Sequence, residues 1–273
     1  MMKKIENNEY KRILVDLLKY LDQVCRENSI SYSPLGGTMI GAIREKGIIP
    51  WDDDIDVVLM HDEYEKLITI LKTKQDAPYK ILDYENTKGY LYPFAKLVDT
   101  RTVLNEKDVR QIDDYGIYVD IFEYNYMPNN NILRKILYYN VYIKKALCNL
   151  SANTKKYKSL HKKIISWYAH FVGTEKLIKR YIKACRKYNK CKTKFIMSNW
   201  PAYGYEHEIQ KASDFLQFID VKFEDINIKI TRDYDSILKT TFGDYMTPPK
   251  EKDRVGHGDI YLSFDKNYED LIK

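Results

Sequence analysis

The sequence predicts an α+β fold, in which short strands and amphipathic helices alternate and one long basic stretch is helical throughout. Three patterns predict it. Apolar residues recur with helical period over residues 8–28, where Tyr10, Ile13, Leu14, Leu17, Leu18, Leu21 and Val24 make one stripe. Compact apolar runs bounded by turn residues mark strands near 31–35, 54–60, 79–84, 91–98 and 117–124, with a strand pair near 219–230. Residues 131–190 carry helical periodicity and a heavy excess of lysine.

Taken in order, the first helix leads into a short strand and then the turn Gly36-Gly37-Thr38, which opens a helical segment running to about Glu45. Gly47 to Pro50 breaks the chain before an acidic strand at 54–60. Asp62 starts a helix to about Lys72, with Tyr64, Leu67, Ile68 and Leu71 turned inward. In the basic stretch, Leu160, Ile164, Trp167 and Phe171 form one stripe and Leu177, Ile178, Tyr181, Ile182, Cys185 and Tyr188 another. Asp233 to Phe242 is a closing helix stopped by Gly243, and Pro248-Pro249 begins an irregular tail. There is no internal repeat and no low-complexity linker.

The chemistry is concentrated between residues 35 and 60. Asp54 and Asp56 stand two apart in an apolar run, so strand geometry puts both carboxylates on one face and Ile55, Val57 and Leu59 on the other. Side-by-side carboxylates repel unless a divalent cation or a proton joins them. The Gly-Gly-Thr turn just upstream offers backbone N–H groups of the kind that attract phosphate. A phosphate cradle beside paired carboxylates is the equipment of metal-dependent phosphoryl-group transfer. A lone acid, Asp120, lies within Ile117-Tyr118-Val119-Asp120-Ile121-Phe122 and needs a partner if buried. Either one of the many lysines pairs with it, or it is the third carboxylate of the same site; the second reading is preferred because the other parts are already present.

Three competing readings are weaker. Asp52, Asp54, Asp56 and Glu63 fall at positions 1, 3, 5 and 12 of a calcium loop, but Val57 stands where that loop requires glycine. The Asp-x-Asp of a nucleotide-sugar glycosyltransferase would lack a role for the Gly-Gly-Thr turn and for Asp120. A merely solvated acidic loop fits poorly with Trp51 and the apolar residues that follow Asp54.

These stretches resemble the LicD family of phosphocholine transferases. The resemblance is carried by Gly37-Thr38-Met39-Ile40-Gly41-Ala42-Ile43-Arg44 and, most specifically, by Ile49-Pro50-Trp51-Asp52-Asp53-Asp54-Ile55-Asp56. It continues through Asp62-Glu63-Tyr64-Glu65, Ala95-Lys96-Leu97-Val98-Asp99, Gly116 with Val119-Asp120-Ile121-Phe122, and Phe242-Gly243-Asp244-Tyr245-Met246 with Pro248-Pro249, spanning about residues 10 to 257. It implies a polymerase-beta-like nucleotidyltransferase fold, a mixed sheet flanked by helices, formed by residues 1–130 plus 195–273. It also implies transfer of phosphocholine or a related phospho-alcohol from a CDP-linked donor to a hydroxyl of a cell-surface glycan such as teichoic acid, lipopolysaccharide or capsule, with release of CMP. Carried over by position, Asp54, Asp56 and Asp120 become catalytic and metal-binding residues for Mg²⁺ (or Mn²⁺). Gly36, Gly37 and Thr38 face the donor phosphates, with Arg44 and Lys96 as candidate positive charges there. The alternatives are placement of a nucleoside monophosphate on an acceptor and a non-catalytic membrane-associated scaffold.

Composition agrees with a soluble enzyme. The 273 residues suffice for a full core, 44% are hydrophobic and 31% charged, and 25 tyrosines suit a surface that meets sugars, bases or a membrane interface, although a compositional bias toward Lys, Asn, Ile and Tyr explains them equally well. Cysteines 25, 148, 185 and 191 are too few and scattered for a disulfide framework, so buried thiols in a reducing compartment are expected. No run approaches the roughly 20 apolar residues that span a bilayer. The N-terminus lacks a signal-peptide core, which points to the cytoplasm.

The charge is unevenly placed. Residues 134–194 hold 18 Lys and Arg against a single acid, Glu175, a balance of +17, while the rest of the chain carries −11. Residues 131–194 therefore form a basic helical insert that matches none of the family blocks. No RNA-binding motif accompanies it, so no nucleic-acid partner is expected. Its lysines are interleaved with Tyr138, Tyr139, Tyr142, Trp167, Tyr168 and Phe171, a mixture suited to the headgroup layer of an anionic membrane. Peripheral association with the inner face of the cytoplasmic membrane, near a lipid-linked glycan acceptor, is the expected consequence; a solvated basic face that guides an anionic substrate is the blander one.

Overall fold

The computed structural model of the protein describes residue 5 and residues 7–74, 78–106, 110–153, 157–254 and 260–263. The chain runs α1 (Asn7–Glu27), β1 (Ser33–Pro34), α2 (Gly36–Ile40), β2 (Asp56–Met60), α3 (His61–Thr73), β3 (Tyr79–Leu82), β4 (Ala95–Asp99), β5 (Val103–Glu106) and β6 (Tyr118–Met127). It continues through α4 (Asn131–Ala152), α5 (Leu160–Val172), α6 (Thr174–Cys185), β7 (Phe195–Ser198), α7 (Tyr205–Glu208), β8 (Gln210–Lys211), β9 (Phe218–Phe223), β10 (Ile226–Thr231), α8 (Tyr234–Phe242) and β11 (Ile260–Ser263). The α+β class is therefore observed. The helical segment from Gly36 is in two parts, α2 and a wider π-helical turn over Gly41–Glu45.

The main sheet is mixed, and β6 is its axis. β2 lies parallel to β6 and β4 antiparallel to it; β1 extends the sheet beyond β2 and β3 beyond β4. The last residues of β6, from Tyr124 to Met127, pair instead with β7, which carries β8. Strands β5, β7, β8 and β11, the last within the tail expected to be irregular, are not predicted by the sequence, being only two to four residues long, too short to show a period. A hairpin of β9 and β10 stands apart, as does the β5–β11 pair.

Burial follows the stripes. Leu14, Leu17, Leu18 and Leu21 of α1 are fully enclosed with Val57, Val58 and Leu59 of β2, Leu67 of α3 and Ile121 of β6. A second apolar cluster joins Leu137, Tyr138 and Val141 of α4 to Leu177, Ile178 and Tyr181 of α6, and these meet Met127 of β6 and Met197 of β7. Helices α4 and α6 are thus packed onto the far half of β6.

The basic stretch is helical in three pieces rather than one. α4 ends at Ala152, and α5 ends where Gly173 takes a positive φ of 87°. Residues 154–156 of this stretch, like 255–257 at the end of the family-like region, lie outside the described residues. Leu160, Ile164, Trp167 and Phe171 do form one stripe of α5, but it faces solvent, and Ala169 is the buried residue of that helix. Cys25, Cys148 and Cys185 are buried free thiols as expected, whereas Cys191 is exposed. Among the described residues, no helix is long and apolar enough to cross a membrane.

Candidate active site

The acidic strand and the glycine turn are tied together by main-chain bonds. The Leu35 N–H donates to the Asp56 carbonyl at 2.9 Å, and the Asp56 N–H donates to Thr38 Oγ1, also at 2.9 Å. Thr38, almost fully buried, therefore fixes the start of β2 against the first turn of α2. Gly36 has φ +56°, a left-handed conformation that glycine adopts without steric cost. A side chain at Gly37 would begin 2.5 Å from Asp52 Oδ2, so the turn and the acidic loop are in contact. Helix α1 braces that loop from behind: Tyr10 OH donates to the Asp53 carbonyl and Lys11 Nζ to the Pro50 carbonyl at 2.9 Å.

Asp120 arrives beside Asp56 through strand register. The two residues are partners in the parallel β2–β6 pairing, and the Asp120 N–H donates to the Ile55 carbonyl at 2.9 Å. Asp54 lies in the loop one residue before its expected strand neighbour Ile55 and two before β2 begins. Its charge still acts on Asp56. Burial first, then the charges of Asp54 and Asp120, hold the Asp56 carboxyl well above the usual carboxylate range, and Lys96 opposes them. Asp52, Asp53 and Asp54 can also place one carboxylate oxygen each within 4.8 Å of the others. Asp56 thus feels both other predicted acids at one end of β2 and β6, whereas the carboxylates close enough together to share one ion are those of Asp52, Asp53 and Asp54. Such crowding of carboxylates fits a divalent cation.

Lys96 is beside this group, at 2% exposure. It is the register partner of Asp120 across β4 and β6, and its Nζ lies 2.7 Å from Asp120 Oδ1. Its ammonium sits 3.4 Å from the ring centroid of Tyr118 and 4.6 Å from that of Tyr92. A buried lysine needs such company, and here it has a carboxylate and aromatic faces together. Arg44, by contrast, is engaged elsewhere. It bonds Glu45 through Nε at 2.7 Å and the Tyr245 carbonyl through Nη1 at 2.8 Å, and it faces Trp51. Its observed part is to link the glycine-turn segment to the chain after Gly243.

Two features escaped the sequence reading. A narrow, mainly apolar cleft opens beside Gly36, lined by Met39, Trp200, Tyr203, Glu208 and Phe242. The Glu208 carboxylate accepts from the Tyr203 N–H at 2.6 Å and from Ala202, and burial raises its carboxyl. The Tyr203 phenol is raised to about 12, by burial first and then by the charges of Asp56, Glu208, Asp54 and Asp52. Nothing in the sequence around residue 203 signals this placement; it depends on how the chain returns after β7.

The second feature is another charged group farther along β6. His61 Nδ1 and Glu123 Oε1 are 2.7 Å apart, and Glu65 approaches within ligand distance of both. Arg186 occupies the centre, with Nη2 at 2.8 Å from Glu123 Oε2 and 2.6 Å from Glu65 Oε1. The guanidinium supplies the positive charge that a metal would otherwise provide.

A family model described as the nucleotidyltransferase domain of LicD/FKTN/FKRP matches residues 29–152. The lipopolysaccharide cholinephosphotransferase LicD of Haemophilus influenzae is 30% identical over 264 residues, covering 94% of this chain and 97% of that protein. The chain belongs to the LicD family. Shorter matches join this LicD chain to uncharacterized proteins of Rickettsia typhi, 33% identical over 35% of this chain and 30% of the other, and Rickettsia prowazekii, 37% identical over 25% and 26%. The matched domain contains the glycine turn, Asp52, Asp53, Asp54, Asp56, Asp120 and Lys96, and it runs on through α4. Trp200, Tyr203 and Glu208 come after it.

Proposed function

We propose that the protein transfers phosphocholine, or a closely related phospho-alcohol, from a CDP-linked donor to a hydroxyl of a cell-surface glycan. The observation that carries this reading is the convergence of Asp54, Asp56 and Asp120 beside the Thr38-anchored glycine turn, in a chain whose full-length relative is named a cholinephosphotransferase. The acceptor oxygen bonds to the phosphorus that bears the alcohol, the bond from that phosphorus to the CMP oxygen breaks, and CMP leaves. Mg²⁺ or Mn²⁺ held by Asp54, Asp56 and Asp120 would offset the charge of the diphosphate. Asp120, the register partner of Asp56, would share the metal or accept the proton of the attacking hydroxyl. Lys96 holds Asp120 in place, and the backbone at Gly36 and Gly37 faces the phosphates.

The alcohol would sit in the cleft beside Gly36. The Tyr203 and Phe242 rings with the Glu208 carboxylate nearby are the surroundings a quaternary ammonium requires, while the Trp200 ring carries the Lys145 ammonium 4.5 Å from its centroid. The acceptor belongs at the inner face of the cytoplasmic membrane if it is assembled on a lipid. The test is incubation of the protein and Mg²⁺ with an acceptor extract and CDP-choline, CDP-glycerol, CDP-ribitol or CDP-ethanolamine, followed by CMP release and product mass. CMP release with phosphocholine added to the glycan is expected. Addition of a whole nucleotide would establish nucleotidyl transfer instead, and turnover by both Asp54→Asn and Asp56→Asn at the wild-type rate would refute the site.

A further inference from the structure

We infer that helices α4 and α5 form a membrane-inserting face, and that its partner is the surface of an anionic lipid bilayer. The two helices are consecutive in the chain and pack against one another. Twelve of the sixteen large hydrophobic side chains exposed among the described residues lie on them, six on each. Scattered exposed apolar residues are ordinary, but such concentration marks an interaction surface.

The pattern within each helix is regular. On α4, Ile132, Ile136, Tyr139 and Ile143 recur at the spacing of one helical face, while Leu137, Tyr138, Val141 and Cys148 form the opposite, buried face. On α5, Leu160, Ile164, Trp167 and Phe171 recur in the same way at 72%, 57%, 68% and 76% exposure. Trp167 and Phe171 stack with ring centroids 5.6 Å apart. α4 thus needs only one of its two apolar faces for the fold, and α5 turns its bulk outward.

Charge selects the occupant. From Asn131 to Val172 the chain holds nine Lys and Arg and no Asp or Glu. Arg134 and Lys145 turn inward to the Pro128 and Pro201 carbonyls and Lys135 lies 3.8 Å from Glu206, but Lys158, Lys162 and Lys163 are exposed, and a second copy would set them against their like. An anionic bilayer satisfies both halves of the surface, taking the aromatic and aliphatic residues into the acyl boundary while Lys135, Lys144, Lys162 and Lys163 meet lipid phosphates. This goes beyond attraction by net charge: insertion of Trp167 and Phe171 makes part of the binding resistant to salt.

The full-length protein decides the question in vesicle flotation. Wild type is expected to float with phosphatidylcholine vesicles containing phosphatidylglycerol and to bind pure phosphatidylcholine vesicles more weakly, with Trp167 fluorescence quenched by brominated lipid. Trp167→Ser with Phe171→Ser should lower the partition coefficient about tenfold or more, at an unchanged melting temperature. Lys162→Gln with Lys163→Gln should weaken binding only at low salt. Transfer to a lipid-free soluble acceptor, measured on the same variants, should stay at the wild-type rate, which separates this inference from the choice of donor. Absence of wild-type flotation with either vesicle overturns it, as does flotation indifferent to Trp167→Ser with Phe171→Ser. A dimer that the same two substitutions dissociate, without vesicle binding, would show that a second copy covers the face.

Discussion

Strands β2 and β6 carry two acidic groups a few residues apart, and nature has treated them in opposite ways. At one end Asp54 and Asp120 press their charge on Asp56, with Lys96 set against them, and Asp56 is held in a form that resists ionisation. Farther along, Glu123, Glu65 and His61 surround Arg186 and are matched by it. The charge around Asp56 is incompletely offset, as the proposed site for a cation and a diphosphate requires. The second is closed, and ties α3 and β6 to the segment that follows α6. Incompleteness of charge, rather than the number of acids, separates a working site from a fastening.

Substitutions test that contrast directly. Asp56→Asn should reduce transfer by on the order of 10³-fold yet raise the melting temperature, because it removes a repelled carboxylate; a fall in stability would break the contrast. Arg186→Met should do the reverse. It leaves the nearly enclosed Glu123 without its guanidinium, which costs about 3–5 kcal/mol in urea denaturation, while turnover in the surviving folded protein changes little. A smaller effect is expected at the cleft, where Tyr203→Ala should raise KM for CDP-choline by about tenfold or less and leave KM for CDP-glycerol nearly unchanged. Equal effects on both donors would place the alcohol elsewhere.

The weakest signal comes from His61. Its hydrogen bond to Glu123 raises its pKa above the ordinary histidine value, against the effect of burial. A raised folded-state pKa means that the stabilisation is complete below about 6.5, the unfolded value, and fades as pH climbs through the folded value. The melting temperature should therefore decline gently from pH 6 to pH 8 in wild type and less so in His61→Gln, as scanning calorimetry would show.

Legibility in the sequence followed the distance over which a contact is made. The glycine turn and Asp54-Ile55-Asp56 are local, and their residue types alone point to phosphate and cation. Asp120 was legible because an acid among β-branched neighbours is anomalous wherever it lies, although only the register shows that it stands opposite Asp56. Lys96 drew notice through its family-like block, but Tyr92 and Tyr118 around it are a product of packing. Arg186 gave no sign, since its partners come from α3 and β6, far back in the chain. For α5 the period was visible and the environment was not, because an apolar stripe reads alike whether protein or lipid is to cover it.

The parallel register that sets Asp56 against Asp120 also bears on how the chain reaches its native state. Parallel strands from distant parts of a sequence pair only after a long loop has closed, and that step is slow. Here it must bring two carboxylates together as it completes, so mutual repulsion opposes the final approach. Refolding from urea should consequently run faster at high ionic strength than at low. The order of assembly would then carry an imprint of these charges: the step that creates the candidate site is the one that salt governs.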